Sequence, residues 1–344
     1  MGTMRAIRLD GPARFGLVTV EIPEPGPGEA LVAVEACGVC GSDVHLVDGS
    51  TAAAYPMVLG HEAAGTVAAL GPDTAGIAPG ERVSVLPYVG CGQCGRCAAG
   101  QLQACARRQV LGVDRPGAQA DHVVVPVSCL VPLPAGVSAE VGAIVTDAVA
   151  TPFHAIRRSG VAEGQTAVVL GLGGLGMHAV QILVDVVGAR VVAVDPRPAA
   201  RARAADLGAG LVLDAGGRDV VDAVLAETGG GADAAFEFVG GPGLVSTALR
   251  CLRPQGTCVV VGISPERLGL AMRQETLVSR ELRLLGSFGC TAGELAELVG
   301  LVADGRLDLT GSVSGVFGPE RFAEALAETR DKRAGSVRVV VSYR

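Results

Sequence analysis

The chain has 344 residues, and at about 150 residues per domain this length predicts two domains rather than one core. Hydrophobic residues make up 49% and charged residues 18%, a composition that excludes intrinsic disorder. The 28 basic and 35 acidic side chains give a net charge of −7 without any basic block, which argues against nucleic-acid and membrane partners. Apolar stretches are too short to span a bilayer and the start lacks a signal-peptide pattern, so we expect a cytoplasmic protein.

The first part of the chain, up to about residue 147, consists of short β-branched runs interrupted by proline and glycine. The clearest runs are 31–35, 65–70, 82–86 and 122–127. Turn residues at such short intervals are typical of a mostly β domain.

After residue 164, apolar runs alternate with alanine-rich segments of helical period, such as 175–187, 198–207 and 244–252. The predicted strands are 166–170, 190–194, 211–213, 234–238, 257–261 and 282–286. Nearly continuous apolar strands with helices between them indicate a six-stranded parallel sheet that is covered on both faces.

The last part of the chain does not extend this alternation. Two helices, 292–303 and 319–328, alternate with the runs 313–317 and 337–342. We therefore assign this part to the first domain, which predicts domains of 1–150, 151–287 and a return over 288–344.

A glycine-rich loop follows the first parallel strand and opens a helix. In the pattern G-x-G-x-x-G, Gly171 makes the tight turn, Gly173 admits a pyrophosphate, and Gly176 permits close packing of helix and strand. Asp195 follows Gly176 by 19 residues, at the end of the next strand, where an acid binds the ribose diol of NAD and repels a 2′-phosphate. Arg197 weakens that discrimination. The alternative is a glycine-rich turn followed by an ordinary surface aspartate. The predicted cofactor loop comprises Gly171, Gly173, Gly174, Leu175 and Gly176.

The chain has ten cysteines, four of which are closely spaced in one loop. In a reducing compartment such cysteines favour metal binding over disulfides. Four thiolates make a closed tetrahedral zinc site with no position for substrate, so the predicted role is structural. An iron–sulfur cluster is the chemical alternative. The four residues are Cys91, Cys94, Cys97 and Cys105.

Further metal-ligand residue types are scattered along the chain. Cys37 and Cys40 precede a Gly-Ser-Asp sequence, His61 and Glu62 follow a glycine, and Asp147 lies much later. Taken singly, the cysteines are equally consistent with small buried side chains, the histidine with a turn residue and the aspartate with a helix N-cap. Spacing alone does not assemble them into a site.

Taken together in chain order, these motifs resemble the zinc-dependent medium-chain alcohol dehydrogenases. The matching elements are C-G-S-D-x-H at 40–45, G-H-E-x2-G at 60–65, the four-cysteine loop, a third zinc ligand, the glycine loop with its acid, and 335–338. The resemblance covers essentially the whole chain. It implies an α/β protein with a GroES-like β-rich catalytic domain and an inserted Rossmann domain with a doubly wound, six-stranded parallel sheet.

The resemblance also implies roles for individual residues. Catalytic zinc would be bound by Cys40, His61 and Asp147, with Glu62 behind the metal. Asp43 would hydrogen-bond the imidazole of the ligand histidine. The implied proton relay is Ser42 and His45. Val239, Val261 and Ile263 lie at strand ends that face the switch-point crevice, so we expect them to line the nicotinamide. The other predicted cofactor contacts are Thr151, Gly262 and, at the pyrophosphate, Arg338.

The predicted function is NAD-dependent, two-zinc oxidoreduction of a small neutral secondary alcohol or polyol and its ketone, by a homodimer or homotetramer. Within the family, a threonine-type dehydrogenase and a primary-alcohol or formaldehyde dehydrogenase are the alternatives. A non-catalytic relative that only binds zinc and nucleotide is the alternative of another class, although such a protein would need no proton relay.

Overall fold

The computed structural model describes residues 2–216, 219–331 and 336–344. The described residues form two compact units. The split unit contains the residues up to Ala150 and those from Gly289 onward, and the inserted unit is 151–288. Gly335, the first residue of the C-terminal motif, lies outside the described residues.

Strands and helices are numbered here in chain order. The strands are β1 (Thr3–Gly11), β2 (Arg14–Glu21), β3 (Glu29–Val39), β4 (Met57–Val58), β5 (Glu62–Leu70), β6 (Arg82–Val85), β7 (Tyr88–Val89), β8 (Gln109–Val110), β9 (His122–Pro126), β10 (Leu130–Pro132), β11 (Thr166–Leu170), β12 (Arg190–Val194), β13 (Leu211–Leu213), β14 (Ala232–Glu237), β15 (Leu252–Val260), β16 (Arg283–Gly286), β17 (Val313–Phe317) and β18 (Arg338–Ser342). The helices are α1 (Gly41–Asp48), α2 (Gly95–Ala98), α3 (Ala139–Ile144), α4 (Ala150–Ser159), α5 (Gly174–Gln181), α6 (Pro198–Asp206), α7 (Val220–Thr228), α8 (Leu244–Arg250), α9 (Gln274–Ser279), α10 (Ala292–Ala303) and α11 (Phe322–Arg330).

The split unit is built around the long strand β3. Its largest sheet has the order β10-β6-β5-β3-β18-β17, and β9 also pairs with β3. Shifts in the β3–β5 register, between Leu31 and Val32 and between Val34 and Ala36, mark irregular points along β3. The returning strand β18 pairs antiparallel with β3, and Val339 lies opposite Val39. The end of the chain thereby lies beside the strand that leads to Cys40.

The inserted unit contains a single six-stranded sheet with the order β13-β12-β11-β14-β15-β16. Every neighbouring pair in this sheet is parallel. All five residues of β11 are buried, as expected of a central strand with helices on both faces. The predicted doubly wound sheet is confirmed.

Several local boundaries differ from the prediction, among them those of three helices: the helix expected over 319–328 is α-helical over Phe322–Arg330. The helix expected over 244–252 ends at Arg250, because Leu252 already pairs with Ala232 as the first residue of β15. The helix expected over 175–187 is α-helical only to Gln181 and continues as a π-helical segment, Ile182–Val187. Among the described residues, no helix combines the length and the hydropathy that crossing a bilayer requires.

Candidate metal centres and nucleotide loop

The four-cysteine loop brings its four sulfur atoms within 4.8 Å of one another. The short strands β7 and β8 close the base of the loop, and α2 carries Cys97. The Sγ atom of Cys94 lies 3.6 Å from that of Cys97 and 3.8 Å from that of Cys105. A zinc tetrahedron with Zn–S bonds of ~2.3 Å has edges of about 3.8 Å, so the four thiols fit this ion. A backbone hydrogen bond from Gln93, with further help from neighbouring side chains, lowers the pKa of Cys91 to about 6.

A second cluster of ligand atoms lies where three segments of the split unit meet. Cys40 lies between the end of β3 and the start of α1, where it is the N-cap residue. Glu62 begins β5 directly after His61. Asp147 projects from a π-helical turn, Val145–Val149, a local distortion that is frequent at functional sites. One potential ligand atom from each of the four side chains lies within 4.8 Å of the others.

The donor set and its unsatisfied atoms fit a zinc ion. Nε2 of His61 lies 3.8 Å from Oδ2 of Asp147, which in turn lies 3.6 Å from Sγ of Cys40. Oε2 of Glu62 is buried without a hydrogen-bond partner, a state that costs free energy unless a cation or donor satisfies it. Thiolate, imidazole and carboxylate are the ligands that catalytic zinc sites use.

Asp43 lies next to the imidazole of His61, but it is too far away for the hydrogen bond that the resemblance implies. Its Oδ1 atom is 3.9 Å from Nδ1 of His61, which exceeds hydrogen-bond length. Its other oxygen accepts the backbone N–H of Cys40 at 2.8 Å, and this bond at the start of α1 fixes the carboxylate. Burial raises the pKa of Asp43, although the nearby imidazole opposes that shift.

Arg338 occupies a buried position at the same cluster. Its Nη2 atom lies 2.9 Å from Oε1 of Glu62 and 3.7 Å from both Sγ of Cys40 and Oδ2 of Asp147. Burial alone would lower the pKa of Arg338, but the charges of Glu62 and Cys40 raise it. The guanidinium thus offsets negative charge around the metal ligands. Sequence reasoning missed this contact, and the expected contact with a pyrophosphate stays a prediction.

The two residues of the expected proton relay both lie on α1. Ser42 Oγ is 3.2 Å from Nε2 of His61, so the hydroxyl is next to the ligand cluster. His45 follows by three residues, and its side chain is 61% exposed. Its Nδ1 atom lies 3.1 Å from Oγ of Ser50. One member therefore faces the cluster and the other faces solvent.

The glycine loop has the open geometry that a pyrophosphate requires. A Cβ atom at Gly176 would lie 1.8 Å from the carbonyl oxygen of Gly171, which explains the need for glycine. A Cβ atom at Gly173 would meet nothing within 4 Å, so the space in front of the loop is free of the described residues. Gly174 begins α5 without a side-chain cap, which leaves its first N–H groups for an anion.

Asp195 is tied to this loop rather than being an ordinary surface residue. Its side chain is only 4% exposed, and its Oδ2 atom accepts the backbone N–H of Leu172 at 2.8 Å. Burial would raise the pKa of the carboxyl group, but hydrogen bonds from Arg197 lower it.

The predicted nicotinamide-lining residues follow the carboxyl ends of β14 and β15, the edge at which ligands bind open parallel sheets. Val239 and Ile263 are exposed, whereas Val261 and Gly262 are half-buried. Sequence reasoning missed Glu237, a buried acid at the end of β14 whose Oε1 accepts the N–H groups of Val239 and Gly240. The signal that could have identified Glu237 is an acidic residue at the end of an otherwise apolar strand. Thr151 is buried in α4.

Comparison with known proteins covers both units. The alcohol dehydrogenase GroES-like domain family matches residues 26–135, and the zinc-binding dehydrogenase family matches 174–304. L-galactonate-5-dehydrogenase of Escherichia coli K12 is 31% identical, over 89% of each chain. The chain belongs to the zinc-dependent medium-chain alcohol dehydrogenases.

Two further similarities span nearly the whole length of this alcohol dehydrogenase. A protein named NAD-dependent alcohol dehydrogenase from Sulfurisphaera tokodaii is 31% identical, over 89% of the chain and 90% of the relative. A structure from Sinorhizobium meliloti 1021, described as a zinc-binding dehydrogenase bound to NADP, superimposes with a TM-score of 0.91. Its sequence is 32% identical, and the match covers 99% of this chain and all of that one. The family and the fold expected from the motifs are confirmed, while the roles of individual residues stay predictions.

Proposed function

We propose that this alcohol dehydrogenase interconverts a small neutral secondary alcohol or polyol with its ketone. The general reaction of this enzyme is the zinc- and NAD-dependent oxidoreduction of alcohols. The observation that carries the proposal is the convergence of Cys40, His61 and Asp147, with the hydroxyl of Ser42 beside the imidazole.

The cofactors supply the chemistry that protein side chains lack: zinc is a Lewis acid for the alcohol oxygen, and NAD accepts the hydride. The contribution of the chain is to hold the ligands and to move a proton. Ser42 is placed to take the hydroxyl proton at Oγ, and the exposed His45 is placed to release a proton to solvent. Ser42 and His45 are three residues apart on α1, so a bound molecule or a water would have to carry the proton between them.

The four-cysteine loop would hold a second zinc with a structural role. All four of its ligand positions are filled by sulfur, which leaves no coordination position for a substrate. Removal of this ion would therefore affect stability rather than the chemical step directly.

The sparse charge in the segment 46–55, where we expect the substrate pocket, favours a neutral substrate. Between residues 46 and 55 the only charged side chain is Asp48, and both its hydrogen bonds at Oδ1 go to Ser50. L-threonine is the second candidate, because three relatives named L-threonine 3-dehydrogenase, from Pyrococcus species, are each 29% identical over 93% of the chain. A homodimer or homotetramer in the cytoplasm remains the proposed state.

A substrate panel tests the proposal. Purified enzyme with NAD is assayed for NADH formation with secondary alcohols, polyols, L-threonine, primary alcohols and formaldehyde, and its zinc content is measured. We expect two zinc ions per chain and the highest kcat/KM with a neutral secondary alcohol or polyol. Preference for L-threonine would select the second candidate, and zinc and nucleotide binding without turnover of any substrate would support the non-catalytic alternative.

A further inference from the structure

A surface cavity of about 330 Å³ lies within the inserted unit, between α7 and the segment 271–280 that contains α9. Small-molecule pockets have volumes of about 300–1,000 Å³, so this cavity is large enough for a small ligand. Nine residues line it, from the first half of α7, the end of α8 and the segment 271–280. None of the nine belongs to the glycine loop or to the predicted cofactor contacts.

The lining of this cavity is positively charged, although the chain as a whole has a net charge of −7. Three of the nine lining residues are arginines, namely Arg250, Arg273 and Arg280, and the one acid among them is Asp222. Three positive charges and one negative charge give the lining a net charge of +2. Outside the lining, Asp219 lies 3.8 Å from Nη2 of Arg250 and offsets part of this charge.

The three guanidinium groups keep hydrogen-bond donors for a ligand. Arg273 is exposed, and its side chain has no hydrogen-bond or ion-pair partner among the residues that the structure describes. The 3.8 Å between Arg250 and Asp219 exceeds hydrogen-bond length. Arg280 donates from Nη2 to the backbone oxygen of Leu252, but a guanidinium has five N–H donors. The lining therefore contains three cations with free donors.

Most of the remaining lining is apolar. Val221 is buried and belongs to the hydrophobic core of the inserted unit, and Leu225 and Met272 pack against that core. A pocket with an apolar surface and a few polar groups is typical of a site for a small organic molecule. A ligand that fits this lining has an anionic group and an apolar part.

We propose that this cavity binds a small organic phosphate, with the phosphate on the three arginines and the apolar part against Val221, Leu225 and Met272. A phosphate monoester carries about −1.5 to −2 charges at pH 7, which matches the net charge of the lining. Guanidinium groups bind phosphate oxygens in a bidentate manner. A carboxylate, with one charge, matches the lining less well. This site goes beyond the proposed oxidoreduction of alcohols.

Calorimetric titration with hexyl phosphate tests the proposal. The zinc-loaded enzyme is first saturated with NADH in a phosphate-free buffer, so that the cofactor occupies its own phosphate-binding positions. We expect one hexyl phosphate per chain, with a dissociation constant of about 1 mM or lower. Inorganic phosphate and hexanoate should each bind about tenfold more weakly or worse, because one lacks the apolar part and the other the second charge. Absence of saturable binding, or equal binding of hexanoate, overturns the proposal.

Three variants assign the binding to this cavity. In Arg273→Ala we expect hexyl phosphate to bind about tenfold more weakly, because charge-assisted hydrogen bonds are lost. Asp222→Asn should bind it more tightly, since a negative charge beside the phosphate is removed, and a folding defect would not produce this gain. Arg158→Ala, an exposed change on α4, is the control and should bind as the unaltered enzyme does. Unchanged affinity in Arg273→Ala would overturn the proposal, because the ligand would then bind elsewhere.

Discussion

Asp147 contributes a carboxylate to the ligand cluster, from the single distorted turn that separates α3 from α4. Its Oδ2 atom approaches the sulfur of Cys40, the imidazole of His61 and the guanidinium of Arg338. A carboxylate is a harder ligand than a thiolate and would leave a bound zinc ion more electrophilic. Under the proposed function, this side chain would connect a local backbone distortion to the reactivity of the bound metal.

Replacing Asp147 with alanine should remove the catalytic zinc but not the structural one. We expect the zinc content to fall from two ions per chain to one, and kcat/KM to fall about 100-fold or more, since a metal Lewis acid supplies several kcal/mol. Metal analysis and steady-state assays measure both effects. Asp185→Ala is the matched control, because Asp185 is an exposed acid in the other π-helical segment. Two retained zincs with full activity would contradict the role of Asp147.

Replacing Ser42 with alanine should separate proton transfer from metal binding. The hydroxyl lies beside His61, but it is outside the group of metal-ligand atoms. We therefore expect two retained zincs, with kcat lowered about 100-fold and restored in part by raising the pH. Ser279→Ala, an exposed change in the inserted unit, should leave kcat unaltered. A loss of zinc would show that Ser42 supports the site structurally.

The residues of the site differ in how far sequence could identify them. Asp195 was predictable because its spacing from the glycine loop reflects one local strand–helix–strand unit. The motif identified Arg338 as a residue of interest, but its contact with Cys40 could not be predicted. The two residues are 298 positions apart in the sequence, and only strand pairing brings them together. The engagement of Asp195 by Arg197 depends on rotamers that no spacing specifies.

At the scale of elements, one ion pair links two sheets of the split unit. The guanidinium of Arg5 on β1 donates to Asp121, which directly precedes β9, at 2.8 and 3.1 Å. The backbone N–H of Arg5 donates to the same carboxylate at 2.6 Å. Burial would raise the pKa of Asp121, but these bonds from Arg5 lower it.

Asp121→Asn should therefore destabilise the protein in a pH-dependent way. Because the folded-state pKa lies below the unfolded value of about 3.9, the stabilisation is present above that pH and is lost as the pH falls through the folded pKa. We expect a loss of about 1 kcal/mol at neutral pH, allowing for partial solvent screening, and a smaller loss below pH ~3.9. Urea unfolding measures both, with Asp10→Asn, in the exposed Arg8–Asp10 pair, as control. A pH-independent loss would contradict the ionic origin.

Elements of the two units were predictable to different degrees. The six parallel strands are nearly continuous apolar runs, so they stand out in the sequence. The order of strands in the split unit could not be derived, because β3 pairs with three other strands and its register with β5 shifts along its length. No pattern in the sequence predicts the π-helical turn at Asp147.

At the scale of the molecule, the path of the chain predicts that the inserted unit can fold on its own and that the first segment of the split unit cannot. The inserted unit contains all six strands of its sheet, whereas the segment up to Ala150 lacks β17 and β18. We expect residues 151–288, expressed alone, to fold cooperatively and to bind NADH, and residues 1–150 alone to remain unfolded. Circular dichroism with thermal melting and cofactor fluorescence distinguish these states. A folded 1–150 fragment would contradict the requirement for β18.

The pairing of β18 with β3 also has a consequence for the time course of biosynthesis. Strand β3, which leads to Cys40, gains its neighbour β18 only when residues 338–342 have been synthesised, long after residue 150. At about 5–20 residues per second, roughly 10–40 s pass between the synthesis of residue 150 and that of Ser342. Cys37 and Cys40, which are buried in the folded protein, lack the cover of β18 during that interval. This topology therefore predicts that the cluster at Cys40 takes its final geometry only after β18 has paired with β3.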